Sequence, residues 1–365
     1  MISTVFKSVK RFTKSISSFK AFLLLRLIFG NYFNITNSKI VSYTLKLYCI
    51  CLCSINFAIK IYVTYSQNRR NFDLQNPYLF VFIEYLINVI TSVITAEEYF
   101  FNYCSALKTS DRIMGFKKIP VFTIYVHFIL ILVILMRITI SVLRAYTAPP
   151  NFILAFSIMS YLFSTDLNDM VIVIIMSFQL CRMKILRRFL ERNSILINII
   201  GRNKVRTSII HIRKGLFYYN NLLDNMSHAE KQLQFRVRIG IVGILTRCVV
   251  YNLSTKFVWQ KSPSAIRSPI VYIYSLSIFI VMFLVCFLTT LEVEKIKATL
   301  TTQLIRCSDE CLKFELQTAI QYVNLRPFCF VICRAVPLNS SLPFNFISLS
   351  ITYVIALMQL AQFRI

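Results

Sequence analysis

Among the charged side chains inside the apolar stretches, Glu84, Arg137, Asp166 and Arg247 stand well within the outer halves or near the middle. A charge at the centre of a hydrocarbon layer costs about 2.5 to 3.5 kcal/mol on insertion scales, so each of them needs a partner or water. Glu84 and Arg137 lie at matched depth, roughly 10 Å from one end of their stretches at 1.5 Å per residue, where an ion pair between them is feasible. Asp166 and Arg247 lie deeper and are expected to pair likewise. Such groups serve either as a pair that merely neutralises itself or as the polar wall of a pocket that hydrogen-bonds a ligand. Tyr85, Tyr161, Tyr251, Trp259, Tyr272 and Tyr274 fall beside them, as an interfacial belt or as faces on which a ring or sugar stacks. The candidate ligand contacts are therefore Glu84, Arg137, Tyr161, Asp166 and Tyr274, in the outer half of a helical bundle.

Other chemistry is sparse. His127, His211 and His228 are scattered, and the chain has no glycine-rich phosphate loop, nucleophile elbow or metal motif, so no enzyme activity is expected. Cys307 with Cys311 and Cys329 with Cys333 have a spacing that four-thiolate zinc sites allow, but no histidine or glycine-rich knuckle accompanies them. Neither a metal nor a cofactor is expected.

The elements that must position these residues follow from composition. Of 365 residues 56% are hydrophobic and only 15% charged, too few charges for a water-soluble surface on a chain of this length. Seven stretches are long and apolar enough to span about 30 Å of hydrocarbon. They run from 41 to 63, 78 to 101, 119 to 144, 151 to 181, 237 to 258, 269 to 291 and 344 to 363. The fourth is too long for one crossing and is expected to continue as a helix toward Arg192. The fold class is thus an all-α membrane protein.

Forty-one Lys and Arg stand against 15 Asp and Glu, an excess that also suits nucleic acid, but the basic residues fall between the apolar blocks. Residues 1–39, 102–118, 182–236 and 292–343 carry 29 of them, against 5 in 64–77, 145–150, 259–268 and 364–365. Positive loops face the cytoplasm, which puts the N-terminus inside and the C-terminus outside, the reverse of a G-protein-coupled receptor. No nucleic-acid partner is expected. Residues 1–40 start basic and contain a short apolar run, Ala21 to Gly30, that Arg26 interrupts; this reads as a cytoplasmic amphipathic helix rather than a signal peptide. Residues 182–236 and 296–323 place apolar side chains every three or four positions, as amphipathic helices of a cytoplasmic layer do. The resulting division is 1–40 as a cytoplasmic segment, 41–291 as six spans with the extension 182–236, 292–343 as a cytoplasmic anchor helix and 344–365 as the last helix.

That last helix holds Thr352-Tyr353, five mostly apolar residues, then Gln359-Leu360, shortly after Cys333-Arg334-Ala335-Val336-Pro337. The pattern resembles the hallmark of the insect gustatory receptor family, Thr-Tyr, five residues, Gln-Phe, with Leu360 in place of the Phe. Chain length, inverted orientation and the long inner segments fit the same family. The resemblance implies a tetrameric ligand-gated cation channel in the plasma membrane of chemosensory neurons, taking a small-molecule tastant, its last helices lining one shared pore. On that basis Thr352, Ile355, Ala356 and Gln359 are the expected pore-lining residues, although Thr352 and Gln359 would equally serve as bonds between helices. Ala356 stands where the family often has a larger aliphatic gate residue, which leaves Ile355 as the expected constriction. A bitter plant compound is the expected ligand. A sugar-sensing member of the family and a seven-helix G-protein-coupled receptor are the alternatives.

Overall fold

The computed structural model describes residues 18–34, 38–67, 77–96, 98–116, 124–147, 152–192, 202–258, 267–328, 330–332 and 336–337, and in the last span 345, 348, 351, 352, 355, 356 and 359. Among the described residues nine helices follow one another: α1 (Ser18–Ile28), α2 (Lys39–Gln67), α3 (Pro77–Thr95), α4 (Glu98–Met114), α5 (Ile124–Thr147), α6 (Phe152–Arg192), α7 (Arg202–Val258), α8 (Arg267–Arg306) and α9 (Glu310–Leu325). The fourth apolar stretch does continue unbroken to Arg192. A strand pair after α9, Val331–Ile332 antiparallel to Val336–Pro337, was not foreseen in an all-α reading.

At the centre lies α6. From Ser157 to Gln179 every residue but Met159 and Asp169 is buried, and its most extensive contact is with α8. A helix buried all round carries no solvent face, so small and neutral polar side chains alternate there with Val, Ile and Met. The periphery is the inverse. Ile83, Ile87, Ile90 and Ile94 stand exposed along α3, and Phe128, Ile131, Leu132, Leu135, Ile138 and Val142 along α5. Continuous apolar surface on this scale is foreign to soluble monomers and natural against lipid chains. Among the described residues, Lys39–Tyr62 and Leu276–Arg306 are long and apolar enough to cross a bilayer.

Two boundaries depart from the sequence reading. The stretch 78–101 is broken, because Ala96 adopts φ +48° and α4 begins afresh with Glu98 at its positive N-terminus. The spacing across 296–323 likewise belongs to two helices. Asp309 caps α9 by accepting from the Leu312 N–H at 2.9 Å, and Ile296, Leu300, Leu312, Leu316 and Val323 are buried while Ile305 is exposed. The N-terminal helix α1 exists as expected, but it packs into the core through Phe22, Leu23, Arg26 and Leu27. It stops at Gly30, whose φ of +88° lets its N–H reach Leu27 O and that of Asn31 reach Arg26 O.

Many of the basic residues are ties between helices rather than a solvated face. Arg182 in α6 binds Asp111 in α4 at 2.8 Å, and Tyr218 in α7 donates to the same carboxylate at 2.6 Å. Arg187 joins Glu292 in α8 at 2.8 Å, Arg213 in α7 joins Glu315 in α9, and Arg326 joins Asp224 at 2.8 Å. Hydrogen bonds from Arg213 hold the Glu315 carboxyl below its ordinary range. Burial pushes Glu292 up, but the hydrogen bonds from Arg187 and Lys295 outweigh it and leave the group lowered.

Two outcomes are expected. Asp111→Ala strands the Arg182 charge and should cost about 3 to 5 kcal/mol, whereas Asp111→Leu with Arg182→Met should cost about 1 to 3 kcal/mol, mostly for the orphaned Tyr218 hydroxyl; thermal unfolding in detergent compares them. The Glu292 and Glu315 pKa values are lower folded than unfolded, so their stabilisation is complete above about pH 4.3 and disappears as pH falls through the folded values. Protection factors in α9, corrected for the intrinsic exchange rate at each pH, should therefore fall on acidification below about pH 4 more in the parent than in Arg213→Ala, where the Glu315 part of that sensitivity is gone.

Candidate functional site

Three of the five candidate ligand contacts meet. Arg137 of α5 grips Asp166 of α6 with two parallel bonds, Nε to Oδ2 at 2.5 Å and Nη2 to Oδ1 at 2.6 Å. From α8, Tyr274 Oη lies 2.8 Å from Asp166 Oδ2 and 3.2 Å from the Val133 carbonyl, within donating reach of both. The Arg137 guanidinium also lies over the Tyr274 ring, 4.7 Å from its centroid. All three residues are at most 3% exposed. Burial weakens the screening that water would provide, so the forked pair and phenol hold one geometry tightly, while desolvation cancels much of the net gain.

The pairing corrects the depth argument. Arg137 takes Asp166, not Glu84, because matched depth fixes height along the bundle and says nothing of which neighbour a helix faces. Central α6 abuts α5, whereas Glu84 on α3 turns toward α7. The side chain of Arg247, the expected partner of Asp166, lies outside the described residues.

Glu84 and Tyr161 belong to a second group. The Glu84 carboxylate rests on the bare backbone of α7 at Gly243, where an added Cβ would come within 2.3 Å of Oε2. Glycine there is a requirement of close approach. The Tyr161 ring meets Phe82 edge-on at 5.8 Å and Tyr85 at 6.4 Å. Asn56 of α2 reaches Tyr85 Oη at 3.4 Å and Ser160 Oγ at 3.5 Å, which adds polar groups to this aromatic wall.

A third polar cluster was missed. Asn168 Oδ1 accepts from Arg26 Nη2 at 2.7 Å and from Arg236 Nη1 at 3.2 Å. Its Nδ2 donates to Asn31 Oδ1 at 2.9 Å, and Asn31 Nδ2 donates to Ser164 Oγ at 2.8 Å. Arg26 interrupting an apolar run was the available signal, since a charge inside ten apolar residues needs a buried partner as much as one inside twenty.

In the last span, Asn345, Ser348, Ile351, Thr352, Ile355, Ala356 and Gln359 are helical, and each is exposed in the single chain. Their spacing of one and three residues places them on one face. Expected pore residues Thr352, Ile355, Ala356 and Gln359 all belong to that face. Cys307 is buried and Cys311 exposed, while Cys329 and Cys333 lie outside the described residues. No group of three metal-ligating side chains occurs among the described residues.

Comparison with solved structures places this geometry. The insect olfactory receptor OR5 from Machilis hrabei superposes with a TM-score of 0.68 over 94% of this chain and 97% of its own, at 11% identity. Its complex with eugenol gives 0.64 over 93% and 97%, at 12% identity. The chain has the insect olfactory receptor fold. No protein-family model and no curated protein sequence matches it. At such low identity the likeness is one of fold, carried by helix order and packing over nearly the whole length. It agrees with the all-helical architecture expected from the apolar blocks.

Gly243→Ala should displace Glu84 and cost about 1 to 3 kcal/mol by overpacking. In the Glu84→Ala background the same change should cost little, so the two substitutions should be non-additive in the thermal midpoint of purified protein. An unchanged midpoint in the single variant contradicts the contact.

Proposed function

We propose that the chain is a subunit of a ligand-gated, non-selective cation channel of the gustatory kind, multi-pass in the plasma membrane of chemosensory neurons. The observation that carries this reading is the whole-length likeness to an olfactory receptor fold. The exposed polar and small-residue face of the last span supports a shared conduit. Four copies around one axis, from this chain alone or with related chains, bring Thr352, Ala356 and Gln359 into rings, with Ile355 as an apolar constriction that closes by dewetting. The basic residues of 1–39, 102–118, 182–236 and 292–343 support a cytoplasmic N-terminus and an external C-terminus.

The ligand-binding half is the end of the bundle that holds Glu84, Arg137, Tyr161, Asp166 and Tyr274. The Arg137, Asp166 and Tyr274 clasp serves as its rigid polar floor, and Tyr161 with Phe82 and Tyr85 as an aromatic wall. These side chains suit a small aromatic or amphipathic molecule, and a bitter plant compound is the ligand we favour over a sugar. The olfactory receptor bound to eugenol supports a ligand of that size. A G-protein-coupled receptor is disfavoured by the basic-residue count, which opposes an external N-terminus.

Cysteine accessibility tests the pore. Thiol reagents should block ligand-evoked current at Thr352→Cys, Ala356→Cys and Gln359→Cys, and spare positions on the opposite face. Tyr274→Phe should shift the half-activating concentration by about tenfold or more, the scale of one hydrogen bond to a charged group, with little change in maximal current. If Tyr274→Phe lowers only surface amount, the clasp is structural and the ligand sits elsewhere. An epitope tag at the N-terminus that stains on intact cells overturns the orientation.

A further inference from the structure

The cluster around Asn168 has no part in the reading above, yet it shares a helix with Asp166. Ser164 and Asn168 lie one turn apart on the face of α6 that receives α1 and α7, and Asp166 lies roughly 160 to 200° around the helix from them. Asp166 there meets α5 and α8. Thus within two turns α6 is held from opposite sides: by Arg26, Asn31 and Arg236 on one, by Arg137 and Tyr274 on the other.

We propose that α1 is a brace that positions Asp166. Arg26 and Asn31 fix the rotational register of α6 through Asn168 and Ser164, and the register decides whether the Asp166 carboxylate presents both oxygens to the Arg137 fork. The geometry supports this in three ways. First, the bonds to Asn168 and Ser164 lock azimuth rather than height: Asn168 accepts two guanidinium donors at one oxygen and donates through its amide nitrogen, so its plane is fixed. Second, the Arg26 and Asn31 side chains are both fully buried, so water does not replace the lost bonds. Third, α1 is anchored at its end: the left-handed Gly30 leaves space for Tyr85 Oη, which a Cβ would approach to 3.1 Å, and Tyr32 N–H donates to Ser92 Oγ of α3 at 3.1 Å. A turn of α6 of even 20 to 30° would misalign the Arg137 fork, whose bonds require near-linear donors.

Arg26 and Asn31 are positioning residues in this scheme, acting through α6 on a group that neither of them touches. The functional consequence, that the N-terminal helix sets ligand sensitivity, rests on the ligand wall proposed above. The brace itself does not, and it is tested without ligand.

Hydrogen–deuterium exchange on the purified full-length protein in detergent reads it. In Arg26→Met, amides of α5 around 133–140 and of α8 around 272–278 should exchange at least fivefold faster, and the same amides should do so in Asp166→Asn. The double variant should exchange no faster than Asp166→Asn alone, because both changes release the same clasp; distant independent changes would multiply instead. Arg26→Lys, which keeps a cationic donor, should restore much of the protection. Asn31→Ala gives the same pattern more weakly and serves if Arg26→Met does not fold. Acceleration confined to α1 and the adjoining turns of α6 and α7, or effects that multiply in the double variant, overturns the proposal. Absence of ligand-evoked current in the parent, with the expected exchange pattern obtained in the variants, would instead count against the channel reading alone.

Discussion

A helix enclosed on every side must satisfy each of its polar groups from within the bundle, and α6 sets that constraint for the whole molecule. Between Ser157 and Gln179 it carries Ser164, Asp166, Asn168 and Gln179, all buried and all bonded to other elements. Each bond recruits a different neighbour: α1 through Asn31 and Arg26, α5 through Arg137, α7 through Arg236 and the Leu222 carbonyl, α8 through Tyr274. The apolar layers around them supply most of the burial. The polar bonds supply the register, because in a lipid-like surrounding a hydrophobic face has no preference for which apolar surface it meets.

Much of this was legible from the residues. Hydropathy gave the apolar blocks, and the run from 151 through Arg192 was recognisable as one long helix because no Pro or Gly interrupts it. The intramembrane charges Arg137 and Asp166 and the aromatic Tyr274 were identified as a site, and they do come together. Their pairing was not legible, since azimuth depends on how helices pack and a sequence reports only depth. The break at Ala96 was hidden for a related reason: neither Gly nor Pro marks it, and the left-handed residue there is an alanine held by tertiary contacts. Arg26 was seen as an interruption rather than as a buried donor, because its run is too short to cross a bilayer and its charge was assigned to the polar face of an amphipathic helix.

In the proposed channel the candidate site and the last helix divide the labour. The clasp and aromatic wall are rigid and internal, suited to recognising a molecule by shape and a few hydrogen bonds. The last helix exposes a mixed stripe of polar, small and β-branched residues that a single chain leaves uncovered. From the clasp, α6 reaches to the Asp111, Arg182 and Tyr218 cluster at the basic end. A displacement of α6 at the clasp is therefore felt at the basic end through a continuous helix, which gives the proposed channel a physical route from its ligand half to its inner layer.

Planar-bilayer recording from the purified chain tests this account most directly. With a panel of bitter plant alkaloids and phenols added on the side of the C-terminus, the account predicts discrete, cation-carried openings, from this chain alone or with related receptor subunits, that need no G protein or nucleotide. A chain that binds such a compound yet passes no current, alone or with related receptor subunits, contradicts it, as does a response that appears only when a G protein is supplied.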